Sequence, residues 1–190
     1  MRRERKRNRL KNFNYSQAGG YFVTICSKNR ENYFGGIRNG VMGLNKCGCQ
    51  VRKQCLWLGK QYQYVYLDEF IIMPNHLHGI LFIKDNYFIA DRRDKSQNGC
   101  DRRVKSRLDP TGNDDNSIPA DKIKSLPELI GAFKTTSSKL LHQDGFSNFT
   151  WQRSFYDHII RNEKSLNNIR EYIRNNPRNW KNDRNNAKDD

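Results

Sequence analysis

Four stretches of the chain carry the β-branched and aromatic residues that are typical of strands. They cover residues 21–27, 64–73, 76–83 and 151–161. Pro74 and Asn75 stand between the second and third stretches and indicate a turn that joins two neighbouring strands. The glycine-rich segment 33–44, with short apolar pairs between its glycines, predicts a small separate hairpin.

Three further segments place apolar residues at the spacing of an α-helix. Asn45 can cap the first, which runs to about Leu58, and the second begins at Leu126, just before a proline suited to a first turn. Asn162 can cap the third, which must end near Asn176 because the proline that follows disfavours continuation. The predicted order of elements is strand, helix, two strands, helix, strand and helix. This order favours an α+β domain with one antiparallel sheet.

The last predicted helix has an apolar stripe and a polar flank. Leu166, Ile169 and Ile173 recur at i, i+3 and i+7, so this side of the helix should dock on the sheet. Tyr172 and Asn176 lie four residues apart beside that stripe and therefore share a face.

A polar segment at residues 86–121 interrupts the pattern of strands and helices. It carries a short internal repeat and predicts a flexible insertion within one domain rather than a second domain. The predicted organisation is therefore a basic arm at 1–14, a domain at 15–180 that contains the insertion, and a polar tail at 181–190.

The chain of 190 residues has a large excess of positive charge, with 35 Lys and Arg against 20 Asp and Glu, or +15. Such an excess favours a polyanionic partner, of which nucleic acid is the commonest, over a merely solvated basic surface. Basic side chains are concentrated in the first eleven residues, where they can lie along phosphates: Arg2, Arg3, Arg5, Lys6, Arg7, Arg9 and Lys11.

The cysteines and the apolar runs bear on the compartment. The five cysteines form an odd set, and no apolar run is long enough for a secretion signal or a membrane span. These features predict reduced thiols in a bacterial cytoplasm, with no membrane partner. A zinc site at Cys47, Cys49 and Cys55 is disfavoured because C-x-C lacks a second pair of ligands.

The motif His76-Leu77-His78 carries the chemistry of the chain. Residues i and i+2 of a strand project to the same face, so both imidazoles would lie together while Leu77 points to the other side. Two adjacent imidazoles are a natural half of a metal site. On the residues alone, two hydrogen-bonded histidines in or near the core are the alternative.

Three segments together resemble the REP-associated tyrosine transposases, a family of the HUH single-tyrosine transposase superfamily. FIIMPNHLHGILFI resembles the signature of two histidines around a bulky apolar residue. YSQAGGYFVTICSKNR and WQRSFYDHIIRNEKSLNNIREYIRNNP resemble the opening and closing segments of the family, so the likeness spans about Tyr15 to Trp180. It implies the HUH endonuclease fold, a ferredoxin-like or RRM-like antiparallel sheet of four to five strands with helices on one face.

The same resemblance implies a site and a reaction. Tyr172 matches the family's nucleophile, and His76, His78 and Asn176 match its ligands for Mg²⁺ or Mn²⁺. The implied activity is a single-stranded DNA endonuclease and strand transferase that forms a 5′-phosphotyrosine intermediate on hairpin-forming, REP-like sequences. Tyr156 is the rival nucleophile, but it has no ligand one helical turn away.

Other residues are candidates for binding DNA. Beside the arm they lie near the closing segment of the chain: Arg153, Arg161, Arg174 and Trp151. The alternative functions are a non-catalytic module that binds structured single-stranded DNA or RNA, and an unrelated basic protein associated with RNA. The sequence leaves open whether the chain is a monomer or a homodimer that exchanges its last helix.

Overall fold

The strands expected from the residue pattern are present in the computed structural model, which describes residue 10 and residues 12–84 and 123–186. Each is now given a label in chain order: β1 (Gly19–Cys26), β2 (Gly35–Arg38), β3 (Val41–Leu44), β4 (Val65–Ile72), β5 (His76–Ile83) and β6 (Tyr156–Ile160). Strands β2 and β3 pair as a separate hairpin, and the other four form one antiparallel sheet in the order β4-β5-β1-β6. The predicted α+β fold class with a four-stranded antiparallel sheet is confirmed.

Among the described residues, three α-helices accompany the strands: α1 (Lys46–Gln61), α2 (Leu126–Gln143) and α3 (Glu163–Asn175). Asn45 caps α1 and Asn162 caps α3, each by accepting a hydrogen bond from a backbone N–H of the first turn. Ser125 and Glu128 form a reciprocal capping box at the start of α2. In the described part of the chain, no helix combines the length and apolarity that a membrane crossing needs.

The central strands β1 and β5 are buried on both faces, and this explains where the helices lie. Side chains on one face of β1, such as Tyr21 and Val23, join the large core beneath α1 and α2. Phe22 faces the opposite side and packs with Ile80 and Ile173 under α3. The expectation of helices on one face is therefore wrong for α3. Seven consecutive buried residues in β1 show why, because a strand that is buried on both sides needs cover on both.

Helix α3 docks through its apolar stripe and is fixed by ion pairs. Ile173 is buried, with Leu166 and Ile169 packed beside it, as the stripe predicts. Arg170 pairs with Asp68 of β4 at 2.7 Å through its Nε, and a second arginine one turn later pairs with the neighbouring glutamate of β4. The apolar contact and these pairs set the rotation of α3 on the sheet.

Ile173→Ala is expected to destabilise the protein by about 2–5 kcal/mol, since it leaves a cavity between α3 and the sheet. Urea unfolding measures the effect. Leu56→Ala, at an exposed position of α1, is the matched control and should change the unfolding free energy by less than about 0.5 kcal/mol. Equal effects of the two changes would mean that α3 is not held by this contact.

Two predicted segments lie partly or wholly outside the described residues, whereas four of the cysteines lie within them. Residues 1–9 and 11 of the predicted arm at 1–14, and the whole insertion at 86–121, are not among the described residues. Within residues 12–84 and 123–186 the cysteines are free thiols, three of them buried and Cys49 exposed. Burial raises the pKa of the Cys55 thiol to about 12, so this residue is an inert part of the core.

Candidate active site

The two histidines open strand β5 and lie on the face of the sheet that α3 covers. His78 is opposite Thr24 of β1 in the strand register, and His76 is opposite Cys26. Both imidazoles are fully buried, while Leu77 between them points into the core on the other face. The strand period therefore brings the histidines together, as expected.

The Nε2 atoms of His76 and His78 are 2.9 Å apart. Two ligand atoms at neighbouring positions of an octahedral site, each about 2.1 Å from the metal ion, are about 3.0 Å from each other. The observed spacing fits two ligands of one cation, and it is equally the length of an ordinary N–H···N hydrogen bond. Without a cation, one of the two nitrogens has to carry a proton and donate it to the other.

The tautomer of His76 follows from its contact with Asn75. The Asn75 Nδ2 group donates to the carbonyl oxygens of Arg30 and Asn185, each at 2.9 Å. Its Oδ1 atom is therefore left to accept, and it lies 2.8 Å from Nδ1 of His76. His76 consequently carries its proton on Nδ1 and presents the lone pair of Nε2 to the site.

His78 has an equivalent partner in the neighbouring strand. The Thr24 hydroxyl lies 2.9 Å from Nδ1 of His78, and a hydroxyl can either accept from or donate to that nitrogen. When Thr24 accepts, His78 also presents a bare Nε2, which is the state that binds a metal. Each histidine is thus oriented by one hydrogen bond at Nδ1, while its Nε2 faces the site.

Both imidazoles are neutral at pH 7. Burial lowers the pKa of His76 to about 4, with a smaller opposing effect of the Asp183 carboxylate and further lowering by Arg30 and Arg184. Burial also holds the pKa of His78 well below its ordinary value, and His76 acts in the same direction. Neutral imidazole is the form that coordinates metal ions.

Tyr172 projects from α3 onto this pair. Its hydroxyl lies 3.3 Å from Nε2 of His78, and its ring packs edge-on against the His78 ring. The side chain is 45% exposed, so a substrate can approach it from solvent. Burial of the remainder raises the pKa of the phenol, as does the charge of Asp183, whereas a hydrogen bond with Asn176 lowers it.

Asn176 ends α3 one turn after Tyr172, as the sequence predicts. It is buried, and its Oδ1 atom has no hydrogen-bond partner. A buried amide oxygen without a partner is costly, so a ligand for it is expected. An amide oxygen is an ordinary ligand of Mg²⁺ and Mn²⁺.

Asp183 is the site residue that sequence reasoning missed. One of its oxygens lies 3.9 Å from Nε2 of His76, and the side chain is only 3% exposed. With His76 and His78 it forms a group whose potential ligand atoms are all within 4.8 Å of one another. Asp183 falls in the predicted polar tail, where no apolar spacing marks it. The aromatic residue Trp180 nearby is a signal that this segment packs on the domain, and its ring does stack on His76.

The potential ligand atoms of this site therefore fit a divalent cation. Two neutral nitrogens at ligand spacing, an amide oxygen without a partner and a carboxylate are a mixed set that Mn²⁺ accepts readily. Mg²⁺ also fits the oxygen atoms but prefers fewer imidazoles.

The residues predicted to bind DNA are in several places. Arg153 and Arg161 are exposed, and Arg174 is exposed but paired with Glu69. The prediction that Trp151 binds DNA is wrong. Trp151 is buried in the core, its Nε1 donates to the Ser137 hydroxyl, and it has no open face for a base. The remaining predicted residues lie in the arm, outside the described residues: Arg2, Arg3, Arg5, Lys6, Arg7 and Arg9.

Asn75→Ala is expected to weaken Mn²⁺ binding by about 10- to 100-fold, because His76 loses the acceptor that fixes its tautomer. Calorimetric titration with Mn²⁺ measures this. Asn167→Ala, on the exposed side of α3, should leave the affinity unchanged. An unchanged affinity in folded Asn75→Ala would show that His76 needs no partner at Nδ1.

One of the comparisons with known proteins supports the fold. No family model matches the sequence. A protein of Haemophilus influenzae, described only as uncharacterized, is 37% identical over 181 residues, which cover 94% of this chain and 91% of that protein. The solved structure of a REP-associated tyrosine transposase bound to a REP hairpin aligns with a TM-score of 0.52 at 18% identity, over 90% of this chain and 72% of that chain. A candidate transposase from Deinococcus radiodurans aligns with a TM-score of 0.43 at 14% identity, over 88% of this chain and 97% of that chain. The chain therefore belongs to the family of the Haemophilus influenzae protein and has a transposase-like fold.

Proposed function

We propose that this protein is a metal-dependent endonuclease and strand transferase for single-stranded DNA, with Tyr172 as its nucleophile. One observation carries the proposal: the Tyr172 hydroxyl lies 3.3 Å from a histidine nitrogen that is itself 2.9 Å from a second one. A module that only binds nucleic acid has no need of a partly exposed tyrosine aimed at two buried, neutral imidazoles. The fold shared with a tyrosine transposase supports the same reading.

His76, His78 and Asn176 would hold the cation, with the Asp183 carboxylate as a further ligand. Bound there, Mg²⁺ or Mn²⁺ would neutralise charge on the scissile phosphate and make its phosphorus more electrophilic. This help matters because an ordinary phenol is protonated at pH 7, and burial raises the pKa of Tyr172 further.

Tyr172 supplies the attacking oxygen. A bond forms between that oxygen and phosphorus, and the bond from phosphorus to the 3′ oxygen breaks. The phenol proton passes to solvent, which the exposed side of the tyrosine contacts, and the departing 3′ oxygen takes up a proton. The product is a 5′-phosphotyrosine link and a strand with a free 3′-OH. One phosphodiester has replaced another, so a 3′-OH can reverse the step and join strands without a nucleotide cofactor.

The proposed substrate is hairpin-forming, REP-like DNA. The net charge of +15 supports a polyanionic partner, and the basic arm would add contacts to the backbone phosphates. The solved neighbour is bound to a REP hairpin, which supports a hairpin as the first substrate to test.

A labelled hairpin tests the proposal. With Mn²⁺, a hairpin labelled at its 3′ end should yield a labelled protein band that survives denaturation, because the downstream fragment stays on the tyrosine. A 5′ label should appear in a shorter, free fragment that a polymerase can extend. A protein that binds both hairpins but yields neither product would be the non-catalytic binding module instead.

A further inference from the structure

A cavity of about 450 Å³ opens beside Tyr172, between β6 and α3, and has no part in the reaction described above. Phe22 and Ile169 contribute apolar surface to it, and Tyr172 lines one part of it. Its volume is within the range of about 300–1,000 Å³ that small ligands occupy in proteins. The cavity therefore continues from the nucleophile along the edge of the sheet.

Tyr156 is the residue that makes this cavity unusual. It lies on edge strand β6, and 42% of its side chain is exposed. Its ring packs edge-on against Phe22, which packs in the same manner against Tyr172, so one buried ring supports both tyrosines. An exposed aromatic ring held at a fixed angle beside a nucleophile is a surface on which a base can stack.

The polar lining of the cavity suits a nucleotide. Lys164 supplies a positive charge to the lining, and Arg184, which is outside the lining, holds its guanidinium over the Tyr156 ring, 5.3 Å from the centroid. His158 and Asn168 offer ring nitrogens and an amide to the edge of a base. Of the described residues that line the cavity, none carries a carboxylate. A phosphate can therefore approach without repulsion from the lining.

We infer that this cavity binds one unpaired nucleotide next to the scissile phosphate, with its base stacked on Tyr156. The inference rests on the proposed function for the position of the scissile phosphate, but binding of the base does not require the chemical step. Tyr156 then positions the strand, and Tyr172 attacks it.

Base fluorescence tests the inference without cleavage. The Tyr172→Phe protein is mixed with Mn²⁺ and with hairpins that carry 2-aminopurine singly at each unpaired position, since stacking quenches this base. At one position the fluorescence should fall on binding. The fall should disappear when Tyr156→Leu is added to Tyr172→Phe and persist with Tyr156→Phe, which keeps the ring. If no position responds to Tyr156→Leu, the inference is wrong.

Cleavage provides the second measurement. Tyr156→Leu should slow single-turnover cleavage or weaken DNA binding by about 5- to 100-fold, the range found for loss of one stacked base. Tyr62→Leu, on the opposite face of the sheet, is the matched control and should behave as the wild type. An adduct with no probe response would overturn only the nucleotide site. A probe response without any adduct would support the nucleotide site and overturn the proposed cleavage.

Discussion

Tyr172→Phe is expected to abolish the covalent protein–DNA adduct and to lower strand cleavage by at least about 10³-fold, since the attacking oxygen is removed. The change deletes one atom. The ring contacts with Phe22 and His78 remain, and so does the apolar stripe that docks α3. DNA affinity should therefore stay within about threefold of the wild type, because it depends on the charge of the whole surface. Denaturing gels measure the adduct, and a filter-binding assay measures the affinity.

Tyr156→Phe is the control for this experiment. It removes the hydroxyl of the second exposed tyrosine of the same face and keeps its ring, so the adduct should form. The opposite pattern, an adduct with Tyr172→Phe and none with Tyr156→Phe, would transfer the role of nucleophile to Tyr156.

His76→Asn and His78→Asn are each expected to abolish Mn²⁺ binding and cleavage while the protein stays folded. An asparagine can retain the hydrogen bond that Nδ1 makes to Asn75 or Thr24, but it has no counterpart of Nε2. Each change therefore removes a ligand atom and keeps the support behind it. Substitution by alanine would also leave a buried cavity and confuse the result with lost stability.

Thermal unfolding with and without Mn²⁺ separates these effects. At 100 times its dissociation constant, a ligand stabilises the folded state by about 2.7 kcal/mol, so the wild-type midpoint should rise. Neither histidine variant should show the rise. His142→Gln, at a histidine that bonds the Phe149 carbonyl through Nε2, should show it in full. Mn²⁺ stabilisation and cleavage that persist in both histidine variants would place the metal elsewhere.

Much of the fold follows from residue spacing. The strand period places His76 and His78 on one face, the stripe on α3 docks as expected, and both asparagine caps form. The position of α3 on the second face differs from the expectation, although residues 21–26 of β1 include no charged residue, which is typical of a strand buried on both sides. Spacing describes one element at a time, and the side of the sheet that a helix covers depends on chain crossings that spacing does not record.

The site was predictable only where its residues lie in regular elements. Tyr172 and Asn176 share a helix face, and that relation can be read from their separation. Asp183 belongs to a segment fixed by contacts with residues far away in sequence, such as the bond from Asn75 to the Asn185 carbonyl. The sequence misleads at Trp151, because an aromatic ring in a basic segment resembles a stacking surface, whereas the indole N–H of Trp151 has a partner in the core.

The chain order of the site has a consequence for biosynthesis. The histidines belong to β5, whereas Tyr172, Asn176 and Asp183 come about a hundred residues later. During synthesis from residue 1 onward, the sheet's central strands emerge from the ribosome well before these three residues. A nascent or prematurely terminated polypeptide that ends before Tyr172 can thus hold the paired imidazoles and still lack the proposed nucleophile. DNA cleavage would then be confined to chains in which α3 has been translated and has folded.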